Sequence, residues 1–596
     1  MILQALQTYY KRLAAEEGSQ AAPPGYAMNP VAACITLNAD GDVVNVLSMM
    51  KDKRPIQVLS PLQPKKAGSK PGASFLCEKP PFLFGIYDKP DGAAYRFQAS
   101  RELHEAILTG VDDIGASAVL KFFEKRTQGS FEYSGVDTSC LNTASNVIFR
   151  LLEDEYGGFM HERPKIRAAW ARYSNSEAAK LDVGQCLVTG EIAPIARLHG
   201  NVSGFGQDKP SLVSFHQKSF KSYEKEDGAN APVSQQAAFE YVTAMNALLQ
   251  NRKHVVRMAG DKVLFWAERG AQTEETLIGS MLGYEPEERS KDAAVQRVND
   301  ETTARKVYGV LNSLHSGKKP SDLELDKDVV FFLFGIAANK TRVVVRFFYT
   351  STFGDLIRRI GQHYMDIELD SGAMDARLAT PFRILLETAV QRKAENIPPT
   401  LEGGLMRSIL FGTPYAYGLY TSILNRMRAD HSINKVRVGM IKGYLCRLDR
   451  SRNQKEGLTV ALNPEETNIG YLLGRLFAVL ERAQTDALGT ELNSTIVDKY
   501  LNSALAAPQT VFPTLLLLFE KHVSKSQKYY TKKLVQDILG RVSSDGFPKT
   551  LNAEDQGRFT VGYYHQRQAL FTKRADPKSL DDLENTSEQS QSTIEA

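Results

Sequence analysis

The sequence predicts an α+β fold, with an irregular mixed N-terminal region followed by an α-helical C-terminal bundle. Three observations carry that expectation. Up to about residue 370, short β-branched and aromatic runs alternate unevenly with helical stretches and are cut by many Gly and Pro. After Ser371 the strand signal nearly vanishes and apolar residues recur at helical spacing. At 596 residues the chain is also too long for one hydrophobic core, so two to four domains are expected.

In chain order, Leu3–Leu13 reads as a helix and Ala33–Leu37 and Val43–Leu47 as strands. Phe82–Tyr87 reads as a further strand because aromatic and branched residues crowd it. Arg101–Thr109, Ala116–Glu124 and Gln235–Leu249 read as helices. Lys262–Trp266, Val329–Gly335 and Arg342–Tyr349 read as strands, and Phe353–Tyr364 as a helix. Helices follow at Met406–Arg428, Lys435–Arg447, Ile469–Arg482, Thr495–Ala504, Pro513–Ser524 and Tyr529–Val542. Leu472, Leu473, Leu476, Phe477, Val479 and Leu480 form one stripe. Pro464, Pro508 and Pro513 are expected to separate helices. The expected divisions are 1–370 (mixed), 371–463 (basic helical connector), 464–575 (helical bundle) and 576–596. The last holds six acidic residues, one lysine and little that is apolar, so it is expected to be disordered.

Composition narrows the function. The apolar share of 42% and charged share of 24% are those of a globular protein, and the net charge of +4 is small. Any nucleic-acid surface must come from local clustering of charge. The N-terminus lacks a signal-peptide pattern and no apolar run is long enough to span a bilayer, so no membrane partner is expected. Five scattered cysteines without a CxxC pair argue for reduced thiols in a cytoplasmic protein, with no metal site and no cofactor. There is no P-loop, HExxH or GxSxG. Gly204-Phe-Gly206 opens like a dinucleotide fingerprint, but Lys209 stands where its third glycine would be. The dispersed histidines, His216 and His363 among them, assemble no acid, base and metal set. No catalytic residue is expected. The rival reading is a nuclease working through a loop residue such as His216.

Four segments place charge beside turn chemistry. Pro61–Pro80 carries Lys65, Lys66, Lys70 and Lys79 against Glu78 alone, a composition that suits tracking of a phosphate backbone or a plain solvated loop. Asn201–Ser234 is a long irregular stretch in which Gly204 and Gly206 would permit close backbone approach. Its Gln207, Lys209, Ser211 and Asn230 are types that hold phosphates or base edges. Met406–Glu456 has ten Lys/Arg against three Asp/Glu, with Arg426, Arg428, Arg437, Lys442, Arg447, Arg450 and Arg452 as candidate phosphate contacts, because few local acids are at hand to pair them. Arg475 and Arg482 share one face of a helix, which is equally a solvated face.

Several long segments then carry a resemblance. They are MILQALQTYYKRL at the start, CLVTGEIAPIARLH at Cys186–His199, SLVSFHQKSFKSYEKEDGANAPVS at Ser211–Ser234 and VLFWAE at Val263–Glu268. VVVRFFYTSTFGDL at Val343–Leu356, GYLLGRLFAVLERAQ at Gly470–Gln484 and LNAEDQGRFTVGYYHQRQALF at Leu551–Phe571 complete the set. Together they resemble the large subunit of type I-C CRISPR interference (Cascade) complexes, nearly end to end. The chain departs from that pattern at Cys77-Glu78-Lys79 after Phe75-Leu76, and at Asp208-Lys209.

The resemblance implies a non-enzymatic, crRNA-guided antiviral subunit. Such a subunit contacts the guide end, reads the protospacer-adjacent motif in double-stranded DNA, helps to open the duplex and supports the displaced strand. The implied partners are crRNA, target DNA, the backbone and guide-processing subunits, a small helical subunit and a separate helicase-nuclease. Residues 1–370 would make the guide-end and motif contacts, and 464–575 would resemble the small subunit. In that family the small subunit arises by internal translation. An ATG-started product here would begin no later than Met440, and a valine start at Val460 or Val479 would give a shorter one.

Overall fold

The computed structural model describes residues 1–16, 21–52, 54–63, 71–85, 90–125, 136–141, 145–152, 154–205, 210–215, 217–257, 261–283, 307, 309–313, 324–370, 378–454, 457–489 and 494–571. Two compact units divide the chain, Met1–Asn251 with Ala338–Val344, and Arg252–Ala337 with Val345–Ala596.

The first unit is built on β1 (Tyr26–Leu37), whose small and β-branched run Val31–Leu37 is buried throughout. A strand covered on both faces needs such residues on both. It pairs antiparallel with β2 (Val43–Ser48) and β4 (Arg54–Pro61), which also takes the short β3 (Met50–Lys51). On its other edge β1 runs parallel to β6 (Asn146–Leu151), which takes β5 (Cys77–Glu78). Helices α2 (Pro80–Phe84), α3 (Pro90–Leu108), α4 (Ile114–Lys125) and α5 (Pro164–Ala178) lie in the same unit. Its core gathers Ile35, Phe84, Val119, Phe122, Phe149 and Ile166. Helix α1 (Ile2–Ala15) packs on α6 (Gln235–Gln250), with Tyr10 edge-on to Phe239 and Gln7 donating to Glu240.

Of the strand expected at Phe82–Tyr87, the described residues Phe82–Gly85 are not strand, and 86–87 lie outside the described residues. Pro80 and Pro81 preset helical φ angles at the first helical positions, so the chain turns into α2 until Gly85, at φ 65°, caps it.

The second unit contains a sheet ordered β12-β11-β10-β9, from β9 (Val255–Arg257), β10 (Asp261–Ala267), β11 (Val330–Asn339) and β12 (Arg342–Thr352). Its helices begin with α7 (Gln272–Leu282), α8 (Phe353–Ile367), α9 (Pro381–Leu386), α10 (Pro399–Phe411), α11 (Tyr417–Asp430) and α12 (Lys435–Ser451). One core joins Val256, Phe331, Ile360, Ile423, Ile441, Tyr471 and Tyr564. The boundaries expected at 370 and 463 therefore do not separate cores. A second core lies within α13 (Ile469–Leu488), α14 (Ile496–Ala506), α15 (Pro508–Ser526), α16 (Tyr530–Leu539) and α17 (Ala553–Phe571), around Leu476, Phe477, Leu501, Phe512, Phe519 and Ile538. Helices α13 and α17 contribute to both cores, which is why both are apolar around much of their circumference.

Two helix expectations need correction. Met406–Arg428 is two helices, because Gly412 at φ 71° ends α10 and Pro414 lies in the link before α11. Pro513 does not separate helices: it sits inside α15, at the cost of one hydrogen bond to the carbonyl of Gln509. Among the described residues no strand follows Thr352, and no helix is long and apolar enough to cross a membrane.

Candidate nucleic-acid interface

In the first unit the long connection before α6 is pinned at its ends and projects in its middle. Ser203 donates to the Asn246 side chain through its backbone N–H (2.8 Å) and hydroxyl (3.0 Å), and Asn246 donates to the Asn201 carbonyl at 3.2 Å. Ser211 pairs with the tip of the β11–β12 hairpin, donating to the Thr341 carbonyl (3.0 Å) and accepting from the Val343 N–H (3.1 Å). At the far end Gly228 donates to the Arg197 carbonyl at 2.9 Å. A side chain there would collide with the Ala196 carbonyl, so only glycine fits. Ser234 caps α6, and its N–H and that of Val188 both donate to the Cys186 sulfur.

Between these pins the backbone turns sharply. Tyr223, Glu224 and Asp227 all have positive φ (52°, 59° and 40°), which costs about 1–2 kcal/mol for each such non-glycine residue. Asn230 holds the turn: its Oδ1 accepts from Ser222 N–H, and its Nδ2 donates to the Lys225 and Asp227 carbonyls, each at 3.0 Å. Lys221 pairs with Glu226, and the Arg342 guanidinium lies 4.2 Å from the Phe220 ring. The result presents Tyr223, 92% exposed, in a segment where Lys218, Lys221 and Lys225 are matched by Glu224, Glu226 and Asp227. Exposed Lys340 lies at the hairpin tip that pairs with Ser211. A rigid turn that offers an exposed aromatic face can stack on an unpaired base or wedge beside one, with exposed Lys218 and Lys225 in the same segment to meet phosphate.

The sequence had singled out this segment but not these side chains. Asn230 is an internal stitch, and Ser211 is buried in strand pairing. Gln207, Lys209, Gly206 and His216 lie outside the described residues. The missed signal is SYEKEDG, a run of turn formers around one aromatic.

Of the basic loop Pro61–Pro80, Lys65, Lys66 and Lys70 lie outside the described residues. Its far end is anchored. Phe75 stacks on Trp170 with centroids 5.3 Å apart, and fully buried Glu78 accepts the N–H groups of Ser74 (2.6 Å) and Lys79 (2.7 Å). Lys79 is half-buried at the start of α2.

The cations of the second unit are mostly internal struts. Arg437, 1% exposed, pairs with Asp430 at 2.7 Å and Glu387 at 2.8 Å. Buried Arg447 pairs with Asp366 at 2.7 Å, donates to the carbonyls of Ser408 (2.6 Å) and Thr413 (2.8 Å), and lies over the Tyr415 ring. Lys442 donates to the Asp366 carbonyl at 2.9 Å. Arg426 pairs with Asp430, Arg428 with Gln556, Arg450 with Asp366, Arg452 with Glu554 and Arg482 with Asp486. Arg475, its pKa lowered by burial, donates to Gln566 and to the Pro464 carbonyl. The expectation that acids were too few to pair these residues is thus corrected: Asp366, Glu387 and Glu554 arrive from distant segments. Only Arg450 and Arg452 remain substantially open to solvent.

His363 is buried against the Tyr415 hydroxyl at 2.6 Å, and burial pushes its pKa down to about 3. Among the described residues no three His, Cys, Asp or Glu side chains are grouped to hold a metal ion.

Compared with known families, the chain matches the family model of a CRISPR-associated protein, Cas_Csd1, over residues 6–571. No curated protein matches it.

Proposed function

The chain belongs to the Cas_Csd1 family of CRISPR-associated proteins and so has a role in CRISPR interference, and we propose that it is the DNA-surveying large subunit of a type I-C complex. In this reading it is a binding protein without a catalytic step. The guide RNA supplies sequence by base pairing, while the protein reads the short motif in the duplex, helps to open it and steadies the displaced strand. A separate helicase-nuclease would do the cutting.

The observation that best supports motif contact is the stitched turn that presents Tyr223, with Lys218 and Lys225 exposed in the same segment. Three left-handed non-glycine positions held by one asparagine are strain that a passive linker has no reason to keep. Lys65, Lys66, Lys70 and Lys79, with Gln207 and Lys209, are the companion contacts proposed from sequence. Arg450 and Arg452 are the remaining backbone contacts of the second unit. We further propose that residues 464–575 act as the small-subunit-like part, consistent with the core that α13–α17 share among themselves.

The test is reconstitution with crRNA and the partner subunits, followed by motif-bearing and motif-scrambled duplexes. Tyr223→Ala is expected to leave assembly intact while weakening motif discrimination and duplex opening. Metal-dependent cleavage of RNA or DNA by the isolated chain would reject the binding-only reading in favour of a nuclease.

A further inference from the structure

The corner between α15 and α16 is remote in sequence from the turn described above, and its residues are not among the candidates drawn from the sequence. Residues 521–533, KHVSKSQKYYTKK, hold five lysines and no acid. Gln527, at φ 56°, ends α15 in a left-handed cap and turns the chain back. Three links then fix the corner. Lys528 Nζ and the Tyr530 hydroxyl both donate to Asp486 on α13, at 2.8 and 2.9 Å, and Lys532 Nζ meets Glu520 on α15 at 2.7 Å. Asp486 also takes Arg482 at 3.1 Å and is itself buried, so its charge is consumed inside the corner.

What faces outward is a different set. Lys521, Lys525 and Lys533 are exposed and make no ion pair among the described residues. Tyr529 is 63% exposed at the turn, beside the anchored and half-exposed Tyr530. The anchored groups hold the backbone while the outward groups keep their charge and ring faces for a ligand. Lysines that are unpaired attract phosphate, and a tyrosine ring held at a fixed turn stacks on any base. A duplex hides its base faces, and an acidic peptide has none, so neither uses the tyrosine.

We propose that the α15–α16 corner is a binding surface for single-stranded nucleic acid, with Lys521, Lys525 and Lys533 holding phosphates and Tyr529 stacking on a base. It rests on the surveillance reading above, which supplies a displaced strand to be held, and names the place that holds it.

The full-length chain is titrated with a fluorescein-labelled 20-nucleotide oligo(dT), with a duplex of the same length and polyglutamate as competitors. Tyr529→Ala is expected to weaken oligo(dT) binding about tenfold, and Tyr529→Phe to restore most of it, because the ring is what stacks. The triple Lys521→Ala, Lys525→Ala, Lys533→Ala variant is expected to flatten the slope of log K against log salt by about 2, at ~0.7 per single-strand phosphate. None of these side chains has a described partner to lose, so thermal melting should stay at the wild-type value. Wild-type oligo(dT) affinity in both variants overturns the proposal, and so does a polyglutamate competition that falls in parallel with it. The same variants in the reconstituted complex separate this inference from the reading beneath it. If motif-dependent opening persists and displaced-strand protection is unchanged in the variants, the corner inference fails alone. If the wild-type complex opens no duplex, the surveillance reading fails, while oligo(dT) binding through the corner still decides the inference.

Discussion

The backbone N–H of Leu76 donates to Nε2 of His104 across 3.1 Å, and this bond ties the end of the basic loop to α3. Leu76 sits at φ 50°, a conformation leucine rarely adopts, so the bond holds a strained residue. His104 Nδ1 is 2.7 Å from the Ser100 carbonyl, which assigns the proton to Nδ1 and leaves Nε2 to accept.

That assignment predicts acid sensitivity. Burial pushes the His104 pKa down to about 4, below the ordinary 6.5. The unfolded chain therefore binds the proton more readily, and the stability this neutral imidazole contributes is complete above pH 6.5 and lost as pH falls toward 4. At pH 5 the loss is about 2 kcal/mol. Other depressed histidines add to the total, so the readout is the wild-type minus His104→Gln difference in urea unfolding at pH 7 and pH 5. A difference that does not change with pH would refute the assignment.

Arg447 and Asp366 predict a stability effect without a binding effect. Both are buried where they meet at 2.7 Å. Arg447→Met leaves a buried carboxylate short of a partner and is expected to cost about 3–5 kcal/mol. Nucleic-acid affinity per folded molecule should not change. A variant with wild-type unfolding but weakened DNA binding would return Arg447 to the interface.

Tyr223 predicts the reverse. Its ring is almost wholly in solvent, so Tyr223→Ala should alter stability by no more than about 0.5 kcal/mol. Binding of the reconstituted complex to a motif-bearing duplex with unpaired bases beside the motif should weaken about tenfold, the size of one aromatic–base stack. Asn230→Ala should weaken it too, by releasing the turn that carries the ring. Equal affinity of all three proteins in an equilibrium titration would dismiss the turn as an interface.

Helices α13 and α17 approach at Gly470, Gly474 and Gly562, where a side chain would run into the carbonyls of Asp555, Phe559 and Tyr471. Gly474→Val must push the two helices apart and is expected to cost at least about 3 kcal/mol, visible as a lowered melting temperature. A wild-type melt would mean that the crossing is looser than described.

If Lys65, Lys66 and Lys70 hold duplex phosphates, replacing all three with Ala should weaken every duplex alike. The slope of log K against log salt should flatten by about 0.9 for each phosphate no longer neutralised. An unchanged slope would remove these lysines from the interface.

The sequence by itself determined the elements whose pattern is local. Ala33–Leu37 declares a strand, the stripe from Leu472 to Leu480 declares a helix, and the fading of strand signal after Ser371 declares the change from mixed to helical architecture. It also determined the family, because that likeness is spread over the whole chain. Where local signals compete, the reading went astray: Phe82–Tyr87 has strand-forming residues, yet Pro80 and Pro81 impose helical φ angles. Only the tertiary structure decided which charges are available. Arg447 finds Asp366 at a separation of 81 residues, and Arg452 finds Glu554 at 102, distances over which no composition count can pair them. Exposure is decided the same way. No local pattern marks Tyr223 or Tyr529 as exposed, and both stand in solvent because of the turns that carry them. Periodicity is written in neighbours along the chain, whereas charge pairing and burial depend on neighbours that the fold brings together from far apart.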